Sequence, residues 1–179
     1  MTDVSFMRAM RGLILAALLP VVVWSQGCAN AIDNGRHTLA AVAVATNVAD
    51  LANASRIRAV CGGRPAIDMT DAVAVATRAG EIAECVEARG FVDVIAAIDA
   101  VDEAMLHAQE RLDRLEARGI DKDEAKRRVR EVLACVRTEA DALLVILRDA
   151  GVPIPDEVRL AVSALALVTG TCSLDEVSP

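Results

Sequence analysis

Between residues 91 and 117 the apolar positions recur at alternating steps of four and three: Val94, Ile98, Val101, Met105, Ala108, Leu112 and Leu115. That spacing keeps one stripe of a helix apolar over a sustained heptad seam, while Glu110, Arg111, Asp113 and Arg114 fall outside it. The stretch 121–149 repeats the device with Val129, Leu133, Val136, Ala140, Leu143 and Leu147. Less sharply patterned segments, divided by glycine, predict further helices over 32–60, 67–88 and 156–169.

The breaks carry their own chemistry. Glu116-Ala117-Arg118-Gly119-Ile120 ends a helix, because Gly119 can take the left-handed conformation while Ile120 folds back as an apolar contact. Asp121 then caps the following helix, with Glu124 placed to complete a capping box. Glu87-Ala88-Arg89-Gly90-Phe91 nearly repeats that stop, and Gly151-Val152 is a weaker copy. Repeated capping explains the echo without invoking an internal duplication. Pro153 and Pro155 prevent the fourth helix from continuing, and Pro155 suits the opening of the fifth. Gly62, Gly63 and Pro65 separate the first two. No polar linker divides 28–179, so one all-α domain is expected there: an antiparallel bundle of about five helices.

Composition narrows the partners. Hydrophobic residues make up 54% of the 179 and aromatic residues 2%, so alanine, valine and leucine must fill the core. That favours close helix packing over a sheet. A net charge of -7 opposes phosphate backbones, and aromatic platforms for single strands or sugars are scarce. No nucleic-acid partner is expected.

The first residues read as an address. Arg8 and Arg11 precede an apolar run from Leu13 to Trp24, and small residues follow. The run is interrupted by Pro20 and is shorter than the ~20 residues of an ordinary membrane span. A secretory signal over 1–27 is the expected reading. Met7 and Met10 leave the start open, but either keeps Arg11 ahead of the run.

Trp24-Ser25-Gln26-Gly27-Cys28 resembles the lipobox that ends the signal of bacterial lipoprotein precursors. Gly27 and Cys28 match that family's motif; Ser25 departs from its leucine-like residue, and the resemblance covers residues 1–28 alone. It implies cleavage before Cys28, fatty acylation of Cys28 and attachment to a membrane. Ala29 stands where an aspartate retains many such proteins in the inner membrane, so the analogy points to the outer one. A rival reading takes Ala29-Asn30-Ala31 as an ordinary A-x-A cleavage site that releases a soluble protein. A third leaves Cys28 buried in an uncleaved helix.

With Cys28 set aside, Cys61, Cys85, Cys135 and Cys172 are an even set, compatible with two disulfides in an oxidising compartment. If all five helices alternate in direction, Cys61 and Cys172 share the top of the bundle. Cys85 and Cys135 then lie roughly 27 and 21 Å below it at ~1.5 Å per residue. The expected pairs are Cys61–Cys172 and Cys85–Cys135, with Cys61–Cys85 excluded as joining opposite ends of adjacent helices.

Other candidates read as solvated faces. Lys126, Arg127, Arg128 and Arg130 are interleaved with Asp121, Asp123, Glu124 and Glu131, giving Asp123–Arg127 and Glu124–Arg128 as i,i+4 pairs. Glu81, Glu84 and Glu87, and Asp99, Asp102 and Glu103, are carboxylate clusters without a visible cleft. His37 and His107 are isolated, and no catalytic, metal or cofactor motif accompanies them. The apolar 156–169 segment is expected in the core rather than docked to a partner helix. The sequence thus predicts a non-enzymatic envelope lipoprotein with a structural or protein-interaction role; the alternative is a soluble periplasmic bundle holding an apolar ligand.

Overall fold

Local capping and left-handed glycines set most helix bounds in the computed structural model, which describes residues 31–62 and 70–169. In chain order these are α1 (Ala31–Cys61), α2 (Ala72–Ala88), α3 (Phe91–Ala117), α4 (Lys122–Asp149) and α5 (Asp156–Val168). No strand occurs among the described residues. Asp71 accepts from the amides of Val73 and Ala74, so α2 opens at Ala72, later than the expected 67. Asp121 does the same for α4 through Asp123 and Glu124. Gly90, Gly119 and Gly151 all have positive φ, at 71°, 58° and 66°, as the three repeated stops require.

The apolar seams face inward. All six expected α4 positions are buried, as are Val94, Ile98, Val101, Ala108 and Leu112 of α3. Met105, Leu115 and the turn residue Ile120 pack half-buried against the same core. Phe91, at the first position of α3, is 1% exposed and supplies that core's aromatic ring. In α5, Val158, Ala161, Val162 and Leu165 are buried, whereas Leu160 and Leu167 point outward.

Helix directions follow from four contacts. Arg36, near the start of α1, binds Asp113 and Glu116 near the end of α3, so these helices run antiparallel. A Cβ added to Gly35 would lie 3.0 Å from Val129 Cγ1 and 3.2 Å from Leu112 Cδ1, which sets α1 and α4 side by side from the same end. At the other end the Arg56 guanidinium lies beside Gly151, just after α4. α5 then returns toward the middle of α4, where Arg137 Nη1 donates to Thr169 Oγ1 at 3.4 Å.

α2 is not a leg of this bundle. It has no buried residue, and Val73 is 75% exposed. The described bundle is therefore α1, α3, α4 and α5, with α2 lying outside between α1 and α3. Counting α2 as a leg reverses the direction assigned to every later helix, which is why the expected cysteine pairs fail.

Replacing Leu133, fully buried in α4, with alanine should cost about 2–5 kcal/mol of stability in urea unfolding. Val73→Ala on α2 should stay within about 0.5 kcal/mol.

Candidate functional site: crosslink and charged faces

Cys61 ends α1 and is buried; Cys85 lies in the last turn of α2. They are joined as a disulfide with Cα atoms 5.8 Å apart, within the span such a bond needs. This corrects both expected pairs: neither Cys61–Cys172 nor Cys85–Cys135 forms, because Cys61 and Cys85 take each other. The earlier exclusion assumed α2 to run the height of the bundle from a start beside Cys61. Instead its C-terminal end is brought back to Cys61, since α3 must enter the bundle where α1 leaves it. Arg78 reinforces the join by donating from Nη2 to the Gly62 carbonyl at 3.1 Å. No residue of this 17-residue helix is fully buried, and Cys85 and Val86 pack only half-buried against the core, so the crosslink and this hydrogen bond add to a slight apolar contact in holding α2 against the bundle. Cys135 is also disulfide-bonded. Cys28 and Cys172 lie outside the described residues.

At the opposite end, Arg36 Nη2 meets Asp113 Oδ1 at 2.7 Å and Glu116 Oε2 at 2.6 Å, with Asp33 3.5 Å from Nη1. The Arg36 hydrogen bond holds the Glu116 carboxyl below the usual carboxylate range. This clamp between α1 and α3 has no local sequence signature, because its partners lie 77 and 80 residues away.

The basic cluster of α4 is internally paired. Arg127 binds Glu124 at 2.6 Å and Glu131 at 2.7 Å, and Arg128 binds Glu124 at 2.8 Å. Glu124–Arg128 forms as expected. Asp123 instead approaches Lys126 at 3.8 Å, and Arg127 prefers Glu124. Hydrogen bonds from Arg127 and Arg128 hold the Glu124 carboxyl low, so it serves the arginines rather than the reciprocal half of a capping box.

The acidic residues of α3 gain a neighbour the sequence does not reveal. Partial burial raises the Asp102 carboxyl above its ordinary range, with repulsion from Asp99 and from Asp50 of α1 adding to the shift. Glu81 pairs with Arg78 at 3.5 Å. His37 is exposed on α1, and His107 lines the outer α3–α4 surface, so the two histidines are not brought together.

Two open grooves of about 560 and 570 Å³ follow that surface and meet at Ala100 and Glu139. Ala97, Ala142 and Ile146 floor the first; Ala104, His107 and Cys135 line the second, with Arg111 and Glu103 at its sides. Among the described residues, no three His, Cys, Asp or Glu side chains converge as a metal site, and no helix is long and apolar enough to cross a membrane. No protein-family model, curated protein or solved structure matches this chain.

Changing both Cys61 and Cys85 to serine should raise hydrogen exchange through 72–88 while α3 and α4 keep their protection. The 24-residue separation is worth roughly 3–4 kcal/mol by chain entropy, and that stabilisation acts on α2 rather than on the core. Arg36→Met should lower the urea midpoint slightly at neutral pH. A depressed folded-state pKa contributes stability above the unfolded value of about 4.3, and that contribution is lost as pH falls through the folded value. The difference between variant and parent midpoints should therefore close below about pH 4.

Proposed function

We propose that the chain is an exported bacterial lipoprotein, held to the periplasmic face of the outer membrane through acylated Cys28, whose helical bundle acts by contact with an envelope protein. The observation that carries this reading is the ordered series Arg8, Arg11, the apolar run 13–24 and Gly27-Cys28. Two disulfides in the exported domain belong to the same reading; the Cys61–Cys85 crosslink supports it, since such bonds persist in oxidising compartments.

The anchor would sit close to the fold. α1 begins at Ala31, three residues after Cys28, a reach of at most ~11 Å. The lipid would then hold the end carrying the Arg36 clamp and the α3–α4 turn toward the headgroups, leaving the Cys61–Cys85 end directed away. The role is assigned to protein contact because the α3–α4 grooves are open and mix alanine floors with Arg111, Glu103, Asp93 and Glu139. A mixed surface suits a charged, patterned partner better than an apolar small molecule.

Intact-mass measurement on the chain recovered from a bacterial envelope tests the anchor. A product beginning at Cys28 and carrying diacylglycerol is expected, and Cys28→Ser should leave the precursor unprocessed. An unmodified Cys28 still joined to residues 1–27 would end the proposal; a soluble product beginning after Ala31 would favour ordinary signal cleavage.

A further inference from the structure

α2 touches α1 and α3 but neither α4 nor α5. Its half-buried positions include Val75, Arg78, Ile82, Cys85 and Val86, which recur at steps of three and four, so one face of the helix turns inward. From that face Arg78 donates to the Gly62 carbonyl, and Cys85 bonds to Cys61, the residue before Gly62. Both ties therefore end at one point, the last turn of α1.

The two sulfurs of the crosslink are not equally open. Cys61 is 7% exposed, whereas Cys85 is half-buried. A thiolate that opens a disulfide must reach one sulfur directly, so access selects Cys85 as the point of attack. What the bond encloses is equally one-sided. The loop between Cys61 and Cys85 contains α2 and no part of α3, α4 or α5. Opening it leaves the apolar seams of those helices as they are, and it removes the strongest tie on a 17-residue helix with no fully buried residue.

We propose that the Cys61–Cys85 disulfide is a reducible latch that sets whether α2 lies ordered against α1 and α3, with a dithiol of the Cys-x-x-Cys class as reductant. The incoming thiolate forms a mixed disulfide with Cys85 and expels the Cys61 sulfur, which takes up a proton. The reductant's second thiol, losing its proton, displaces the Cys85 sulfur, which is protonated in turn. The chain gains two electrons and two protons, and the reductant becomes a disulfide. Release exposes Cys61 and the inward face of α2 while the four-helix bundle persists. The latch stands on this geometry whether or not Cys28 is acylated.

The full chain, refolded in detergent with oxidised and reduced glutathione and then treated with a reduced Cys-x-x-Cys oxidoreductase, tests the proposal. Differential alkylation with tryptic mapping reads the link between peptides 59–78 and 79–89, and hydrogen exchange is followed in the same samples. As the link is lost, amides of 72–88 should exchange on the order of tenfold faster or more, while 91–117 and 122–149 keep their rates. Reoxidation should restore the slow exchange. An oxidoreductase lacking its second cysteine should be captured on peptide 79–89. Unchanged exchange through 72–88 after full loss of the link would overturn the proposal, as would capture on 59–78 instead. Loss of protection in α3 and α4 together with α2 would make the bond a brace of the core and end the idea. A link that the oxidoreductase opens only after urea has unfolded the bundle would do the same.

Discussion

Close approach of α1 to its neighbours is the constraint on which the rest of the structure depends. α1 packs against every other helix, and its buried face is mostly small residues: Gly35, Thr38, Ala41, Ala45, Thr46 and Ala49 with Val42, beside the larger Ile32 and Leu39. At Gly35 a single added carbon would meet both Val129 and Leu112, so the backbone itself is the contact surface there. Thr38 and Thr46 can be buried because their hydroxyls donate to the carbonyls of Asn34 and Val42, one turn earlier. With Phe91 as the sole ring in the described core, dispersion comes from many short-range aliphatic contacts rather than a few large side chains.

The same packing accounts for a local cost. Asn53 is 1% exposed on that α1 face, and its Oδ1 has no hydrogen-bond partner. An unsatisfied buried acceptor costs about 1–3 kcal/mol, and the surrounding aliphatic burial must offset it. The clamp at Arg36 works differently. It lies at the bundle's rim, where its value is in fixing α1 against α3 in register rather than in large stabilisation.

How much of this the sequence reveals depends on which residues carry each contact. α3 and α4 are readable because valine and leucine fill their seams and charged residues fill the opposite sides; the positive-φ glycines are readable because their stops repeat. α1 is only half readable. Glycine, threonine and asparagine on its buried side, with alanine on both sides, erase the polar–apolar contrast that marks an amphipathic helix. The valines and alanines of α2, none of them fully buried, mislead in the opposite direction, resembling a core leg without being one. The number of cysteines is legible, but their pairing depends on counting bundle legs, and one surplus leg inverts the answer. Arg36 acquires Asp113 and Glu116, and Asp50 acquires Asp102, through tertiary packing alone, which no local spacing encodes.

That inversion changes what the disulfide does. A Cys61–Cys172 bond would have closed nearly the whole domain and braced a core short of aromatic contact. Cys61–Cys85 encloses α2 instead, the helix with no buried residue, while α1, α3, α4 and α5 are held by their own apolar seams. The covalent bond is placed at the edge of the core, joining buried Cys61 to a helix that meets that core only through half-buried residues such as Cys85 and Val86. A core that packs without the crosslink can form before oxidation, with the alignment of α1 and α3 bringing Cys61 and Cys85 within bonding distance. Oxidation then fixes the position of α2, so the redox state of the compartment governs the surface shown at that end more than the existence of the bundle.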